Sequence, residues 1–430
     1  MSEQKPRPNL VYADEAGNIF DHPELEMLVR RGDRLEPPRP DELIPLPPES
    51  ELFLLPGRDA LGFDPNTGQV ERLEERAVGA FVCPGHTLSA TAAYATRPGA
   101  PVLPLFAYGA IGFWGDRFFV AAAKVDDDKR QIFTGIPQGK IVKGAERLRR
   151  KYPKNRLIEH LMGCALQSSC PAARNLALGR FEAPLPTARA CNARCLGCLS
   201  LQDPDSGFPS TQCRIGFVPT PEEIVEVMVE HGSRVAKPIF SFGQGCEGEP
   251  LTEAEVICQA VSRFRAGGGR GTVNINTNAS LPDRVSDFAQ AGGSSLRASL
   301  VSADPVLYEA YHRPQGYGFE QIRESLFRAK AGGLFVSLNF LYFPGVADTE
   351  AELTALTALI SETRADFVQL RNLNLDPERY LSLAWTSGVM ADPARSASMG
   401  LRNFRKRLRK ACPWLRFGYF NPYVEERSGP

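Results

Sequence analysis

The chain has 430 residues, 43% hydrophobic and 23% charged, which suits a soluble globular protein with room for about three domains and excludes a membrane-embedded class. Fifty basic residues balance fifty acidic ones, so no global field favours nucleic acid or an anionic membrane. The ten cysteines are too sparse for a disulfide scaffold and point to a reducing cytoplasm. The opening MSEQKPRPN lacks the basic-then-apolar run of a signal peptide, and PVLPLFAYGAIGF, the longest apolar stretch, is interrupted by prolines and too short for a bilayer span.

In chain order, residues 1–135 are proline-rich and carry short apolar or alternating runs (ELFLLPG, GAFVCPG, VLPLFAYGA, RFFVAAAKV) between turn signals such as DPNTG and WGDR. This predicts a β-rich accessory domain, with no internal repeat. Residues 136–182 turn helical and basic (GKIVKGAERLRRKYPKN) and read as a helical linker with a solvated face, or as a stripe for nucleic acid. Aromatic interleaving is nearly absent, so the nucleic-acid reading is not favoured.

From residue 183 strand candidates alternate with helices: 185–190, 237–242, 272–277, 296–301, 335–343 and 366–371. Thr220-Pro221-Glu222-Glu223 is a helix start with a capping box, and Thr252 with Glu255 repeats the pattern. Gly232 and Gly267 supply helix stops, and helices fit GFEQIRESLFRAKAGG and DTEAELTALTALISETR. Six strands, each followed by a crossover helix, demand a parallel sheet with right-handed connections. The predicted fold class is therefore α/β, a partial (β/α)6 TIM-like barrel over residues 183–380. A C-terminal extension over 381–430 holds a basic helix near 394–411 and the segment LRFGYFNPY.

In such a barrel the chemistry sits at the carboxyl ends of the strands. After the first come Cys191, Cys195 and Cys198; after the second, SFGQGCEGEPL; after the later ones, NTNAS, SLVSADP, YFPGVADTE and RNLNLDP. Three thiolates can hold three irons of a four-iron cube and leave the fourth open. Structural zinc wants a fourth protein ligand, and the half-site Cys83/His86 lies in another domain. The cysteine spacing alone leaves zinc and iron–sulfur open.

CNARCLGC followed about fifty residues later by GEPL, with the NTN, SLVSADP and FPGVADTE strand ends, resembles the radical S-adenosylmethionine superfamily over residues 183–376. The resemblance implies a [4Fe-4S] cluster on Cys191, Cys195 and Cys198, whose open iron takes the amine and carboxylate of S-adenosyl-L-methionine. One electron, from a donor such as flavodoxin or ferredoxin, then releases a 5′-deoxyadenosyl radical that abstracts hydrogen from a small molecule or peptide. It also implies that Glu249 receives the methionyl ammonium, with Gly248 allowing backbone approach, and that Asn278, Ser299 and Arg313 contact ribose or carboxylate. The lesser alternative for Glu249 is a helix-start acid, while the other three read equally as strand-end capping or surface polarity.

Two positions depart from the family pattern. Gly197 stands where an aromatic residue precedes the third cysteine, leaving Leu196 or Val346 to pack near adenine, and Glu247 replaces the first glycine before Glu249. Cys164, Cys170, Cys213 and Cys246 are candidates for an auxiliary cluster, or are free thiols. Gln369 and Arg371 share a strand face, and Asn372 and Asn374 follow; together they suit an oxygen-rich substrate. An RNA-modifying enzyme, motivated by residues 141–156 and by FRKRLRK at 404–410, and a non-catalytic zinc or iron–sulfur protein are the alternatives. No cobalamin-binding motif is evident.

Overall fold

Short strands punctuated by turn residues build the amino-terminal part of the chain. The computed structural model describes residues 6–391 and 397–424. The first five residues, part of the basic C-terminal segment and the last six therefore lie outside the described residues. A long hairpin, Glu51–Asp64 with Gln69–Phe81, anchors a nine-stranded sheet whose strands run antiparallel; a three-stranded sheet lies beside it. The hairpin turns at the DPNTG signal, where the Asp64 carboxylate accepts the Asn66 N–H at 2.8 Å and the Thr67 hydroxyl at 3.0 Å.

Three helices follow: α1 (Gln138–Lys151), α2 (Arg156–Gln167) and α3 (Pro171–Leu178). They are not a solvated bridge. Ile141, Leu148, Leu157, Leu161 and Leu176 are buried in the same apolar cluster as the sheet that follows. The basic residues of this segment are largely paired within the chain: Arg147 and Lys151 each reach Glu230 at 2.6 Å, and Arg149 reaches Glu159 at 2.7 Å.

The second half is a parallel sheet of seven strands in sequential order: β1 (Glu182–Pro184), β2 (Ile239–Phe242), β3 (Thr272–Thr277), β4 (Ser295–Leu300), β5 (Phe335–Tyr342), β6 (Phe367–Asn372) and β7 (Arg416–Gly418). The α/β class holds, with one strand more than expected. β7 comes from the LRFGYFNPY segment, and its three residues are too few to show a period. The first strand ends before 185–190. Pro186 has no N–H to pair, and the amides of Thr187 and Ala188 go to the Glu247 carboxylate rather than to a strand.

Crossover helices are α4 (Pro221–Gly232), α5 (Ala254–Ala266), α6 (Pro282–Gln290), α7 (Pro305–His312), α8 (Phe319–Ala331), α9 (Glu350–Thr363), α10 (Pro377–Thr386) and α11 (Leu401–Ala411). The capping box at α4 forms: Thr220 Oγ1 accepts the Glu223 N–H at 3.3 Å, and Glu223 accepts the Thr220 N–H at 2.8 Å. The box at Thr252 does not form. That hydroxyl donates to the Glu249 carbonyl at 2.7 Å, inside a short turn that delays α5 to Ala254. The basic α11 packs Leu401, Phe404 and Leu408 inward and pairs Arg402 with Asp41 and Arg407 with Glu350, each at 2.7 Å. Among the described residues no helix is long and apolar enough to cross a membrane.

Seven flat strands about 4.8 Å apart would hold the edges roughly 29 Å from each other. Instead Asn421, just past β7, donates from Nδ2 to Glu182 of β1 at 3.0 Å. The sheet therefore curls until its edges nearly meet, as a partial barrel does. A chain of polar contacts floors the interior: Arg130 to Glu182 at 2.9 Å, Gln369 Nε2 to Asn421 at 3.0 Å, and Arg297 Nη1 to Gln369 Oε1 at 2.9 Å.

The amino-terminal sheet docks where β6 ends. Thr87 Oγ1 donates to the Leu370 carbonyl at 2.6 Å, Leu88 N–H to Asn372 Oδ1 at 2.8 Å, and Arg58 meets Asp376 at 3.1 Å with both side chains only 3% exposed. Leu105 joins an apolar cluster with Leu196, Phe208, Tyr311 and Phe343.

Candidate active site

The loop carrying Cys191, Cys195 and Cys198 is braced from two sides. From the β2 side, the buried Glu247 carboxylate accepts N–H groups of Thr187 (2.7 Å), Ala188 (2.9 Å) and Gln244 (2.6 Å). Gly248 N–H donates to the Ala188 carbonyl at 2.7 Å and Glu249 N–H to the Ala190 carbonyl at 2.8 Å. A Cβ on Gly248 would lie 1.8 Å from the Ala190 carbonyl oxygen. That glycine makes room for the cysteine loop. Glu247, the second departure from the family pattern, is thus a clamp on the same loop.

The second brace is the end of α7. Arg194 N–H donates to the His312 carbonyl at 3.1 Å, Leu196 N–H to that of Tyr311 at 3.0 Å, and Gln315 N–H to that of Asn192 at 2.9 Å. Helix α7 stops at Arg313, held in the left-handed region at φ 47°. The Arg313 side chain is exposed and does not line the cavity, so the structure does not bring it to the site. Tyr311 accounts for Gly197. Its hydroxyl would sit 2.4 Å from a Cβ there, so an aromatic ring delivered by α7 occupies the space beside the third cysteine. Leu196 and Val346 are buried in the apolar cluster beneath and do not line the cavity either.

The three thiols open on a cavity of about 430 Å³ together with Gly248, Glu249, Asn278, Ser299, Arg297, Asn339, Arg371, Asn372 and Asn374. Burial first, then the nearby Glu249 carboxylate, pushes the Cys191 thiol up to about 11. Burial, followed by the charges of Cys191 and Cys198, raises Cys195 further. Thiols packed this way repel one another's thiolates, and a bound cationic metal would reverse that preference. Polar groups stand ready around the sulfurs: His312 Nδ1 lies 3.3 Å from Cys195 Sγ, and Arg214 Nη2 donates to Cys198 Sγ at 3.6 Å. Among the described residues no three His, Cys, Asp or Glu side chains close around a single ion. Three thiolates on one loop can hold three irons of a cube and leave the fourth open.

Glu249 is buried, and its carboxylate accepts Leu251 N–H (3.0 Å), Thr277 Oγ1–H (2.5 Å) and Asn278 N–H (2.7 Å). Burial outweighs these donors and lifts its acid to about 7. An arriving ammonium would restore the carboxylate. Asn278 Nδ2 donates to Asn192 Oδ1 at 2.8 Å, tying the end of β3 to the cysteine loop at the cavity wall. Ser299 lines the same wall from β4.

The four residues offered for substrate separate. Arg371 and Asn374 line the cavity, with the Arg371 guanidinium stacked 4.5 Å over the Tyr419 ring. Gln369 is fully buried in the floor, spent on Arg297 and Asn421. Asn372 touches the cavity, but its amide holds Leu88 and the His86 carbonyl, at 2.8 and 3.1 Å. The sequence reading missed Arg297, whose guanidinium is forced down to about 9 by burial and then by Arg371. Its Nε and the Oδ1 of Asn339 are buried without partners. The period of two that put Ser299 on the inner face also put Arg297 there, so this residue was findable.

Residues 185–358 match the family model described as the radical SAM superfamily. No curated protein matches the chain. Among solved structures, the chain is similar to the FeFe-hydrogenase maturase HydG from Carboxydothermus hydrogenoformans, at 11% identity and TM-score 0.35, covering 65% of this chain and 75% of that one. It is also similar to Streptococcus suis SuiB bound to the precursor peptide SuiA, at 12% identity and TM-score 0.38, covering 62% of this chain and 53% of that one. A radical SAM methyltransferase from Sphaerobacter thermophilus gives 15% identity and TM-score 0.33, covering 50% and 69%. Likenesses this remote fix no substrate.

Proposed function

Because residues 185–358 belong to the radical SAM superfamily, we propose that the chain is an enzyme that uses a [4Fe-4S] cluster and S-adenosyl-L-methionine to act on an oxygen-rich, anionic small molecule or peptide. One observation carries this reading. The three thiols, the Glu249 carboxylate and the Arg297–Arg371 pair face a single cavity at the carboxyl ends of the strands. When bound, the cluster and S-adenosyl-L-methionine supply reductive carbon–sulfur cleavage and, from it, abstraction of a hydrogen atom from substrate.

The chain's own residues do the rest. Cys191, Cys195 and Cys198 would hold three irons from a loop already braced by Glu247 and α7, so little order would be lost on binding. Glu249 would receive the methionyl ammonium, and Asn278 and Ser299 would contact the ribose or carboxylate. Arg297 and Arg371 bring two guanidinium groups to the cavity lining, and each repels the other strongly enough to lower Arg297, which suits a carboxylate or phosphate on the substrate. The amino-terminal sheet docks at Asn372 and Asp376, beside the carboxyl end of β6.

Anaerobic reconstitution of the purified chain tests the cofactors. The expected result is acid-labile sulfide with iron and, under a strong reductant, 5′-deoxyadenosine. Zinc alone, with no 5′-deoxyadenosine, would overturn the reading. Deuterium uptake into 5′-deoxyadenosine from a labelled metabolite or peptide extract identifies the substrate, which should lose turnover on Arg371→Gln. Uptake from neutral substrates alone would sink the anionic assignment.

A further inference from the structure

Cysteines 164, 170, 213 and 246 come from four segments: the last turn of α2, the residue capping α3, the loop before α4, and the loop after β2. Folding brings them together. Cys170 N–H donates to the Cys164 carbonyl at 3.1 Å, and Ile215 N–H donates to the Cys246 carbonyl at 2.8 Å, which fixes the segment of Cys213 against Cys246. Cys164, Cys170 and Cys246 line the same cavity as the first three cysteines, on the side of Gln131, Leu161 and Pro171. His160 Nε2 stands 3.7 Å from Cys164 Sγ.

We propose that Cys164, Cys170, Cys213 and Cys246 hold a second iron–sulfur cluster in the wall of this cavity, ligated entirely by protein. A lone buried cysteine is an ordinary small hydrophobe, and Cys412, packed in the apolar core, is of that kind. Four cysteines gathered from four segments are not. They form no disulfide. Three of the four share one stretch of cavity lining, and the Ile215–Cys246 backbone bond holds the segment of the fourth beside them.

Four thiolates are the full complement of a [2Fe–2S] or a [4Fe–4S] unit. Four thiolates could also close around one zinc, the occupant that the metal and sulfide counts below distinguish. With no open iron, the second cluster presents a closed surface to the cavity, unlike the first.

The test removes the first site from the full chain. The C191A/C195A/C198A variant, reconstituted anaerobically with iron and sulfide, should retain about two or about four irons with matching sulfide, the number distinguishing the two cluster types. The wild-type chain should then hold that number plus about four. A variant with no iron and sulfide, or with zinc only, beside a wild type of about four irons overturns the proposal. Should the triple variant not fold, the wild-type iron count and its Mössbauer spectrum decide alone. C164A/C170A should lower the wild-type count by the second cluster's share; an unchanged count overturns the proposal. A triple variant that keeps its cluster beside a wild type that never cleaves S-adenosyl-L-methionine would leave this inference standing and the proposed function fallen.

Discussion

His312 directs Nδ1 at Cys195 Sγ across 3.3 Å while its Nε2 has no partner. Burial drops the imidazole to about 3, so the ring is neutral and carries one proton. A ligating thiolate can only accept, which puts that proton on Nδ1. The ring is fixed by stacking on Tyr308, centroids 4.2 Å apart. Donation to sulfur favours the more negative, reduced cluster. His312→Phe should therefore lower the first cluster's potential by roughly 60 mV, the equivalent of a hydrogen bond worth about 1.4 kcal/mol. A redox titration followed by electron paramagnetic resonance reads the shift; an unchanged potential removes His312 from this role.

Gly197 and Tyr311 should be coupled. Gly197→Ala sets a Cβ 2.4 Å from the Tyr311 hydroxyl and should cost about 1–3 kcal/mol of stability. Tyr311→Phe deletes the offending oxygen, so the double variant should recover much of the loss. Chemical denaturation of the four proteins in the cycle checks it, and strictly additive losses contradict the packing described.

Arg58 and Asp376 join the amino-terminal sheet to the barrel as a buried ion pair at 3.1 Å. Asp376 also accepts the Leu103 N–H at 2.8 Å and caps α10. Asp376→Ala leaves the guanidinium short of charge and should cost about 3–5 kcal/mol. Arg58→Met should cost less, because backbone amides still satisfy the carboxylate. Equal losses in thermal unfolding would contradict this order.

Glu352 supplies a pH signature away from the cysteines. Its carboxyl, buried on α9 and accepting the Ala303 N–H at 2.7 Å and the Ser302 hydroxyl, rises from 4.5 to about 7, chiefly through burial. The folded chain thus holds this proton more tightly than the unfolded one. The stabilisation is complete below pH 4.5 and is lost as pH rises through about 7, amounting to about 3 kcal/mol. Glu352→Gln should remove that part of the slope, so wild type loses more stability than the variant between pH 5 and pH 8. Parallel curves for the two proteins would refute the assignment.

What the sequence made legible follows from how local each feature is. The cysteine loop and Glu249 are contiguous motifs at strand ends, and the capping box at Thr220 is a four-residue device, so all three were readable. The alternation in LPTARA misled, because strand pairing there is replaced by Glu247, a partner about sixty residues onward. Tyr311 and His312 reach the cysteine loop from a helix more than a hundred residues later, and no local pattern announces that. Arg297 lies on the inner face of its strand, where the period of two places it, but a single arginine in a strand carries no motif. Gln369 sat on the right face at the wrong depth, which a period of two cannot report.

The floor contacts set a limit on how far this molecule can be divided. Arg130, Glu182, Gln369 and Asn421 all lie outside residues 185–358, yet together they answer the polar groups at the bottom of the curled sheet. An excised 185–358 fragment would keep Arg297 and strip away every side chain that meets it there. The stretch singled out by sequence similarity is shorter than the piece of chain able to stand alone, and fragments cut at its borders will collapse from beneath.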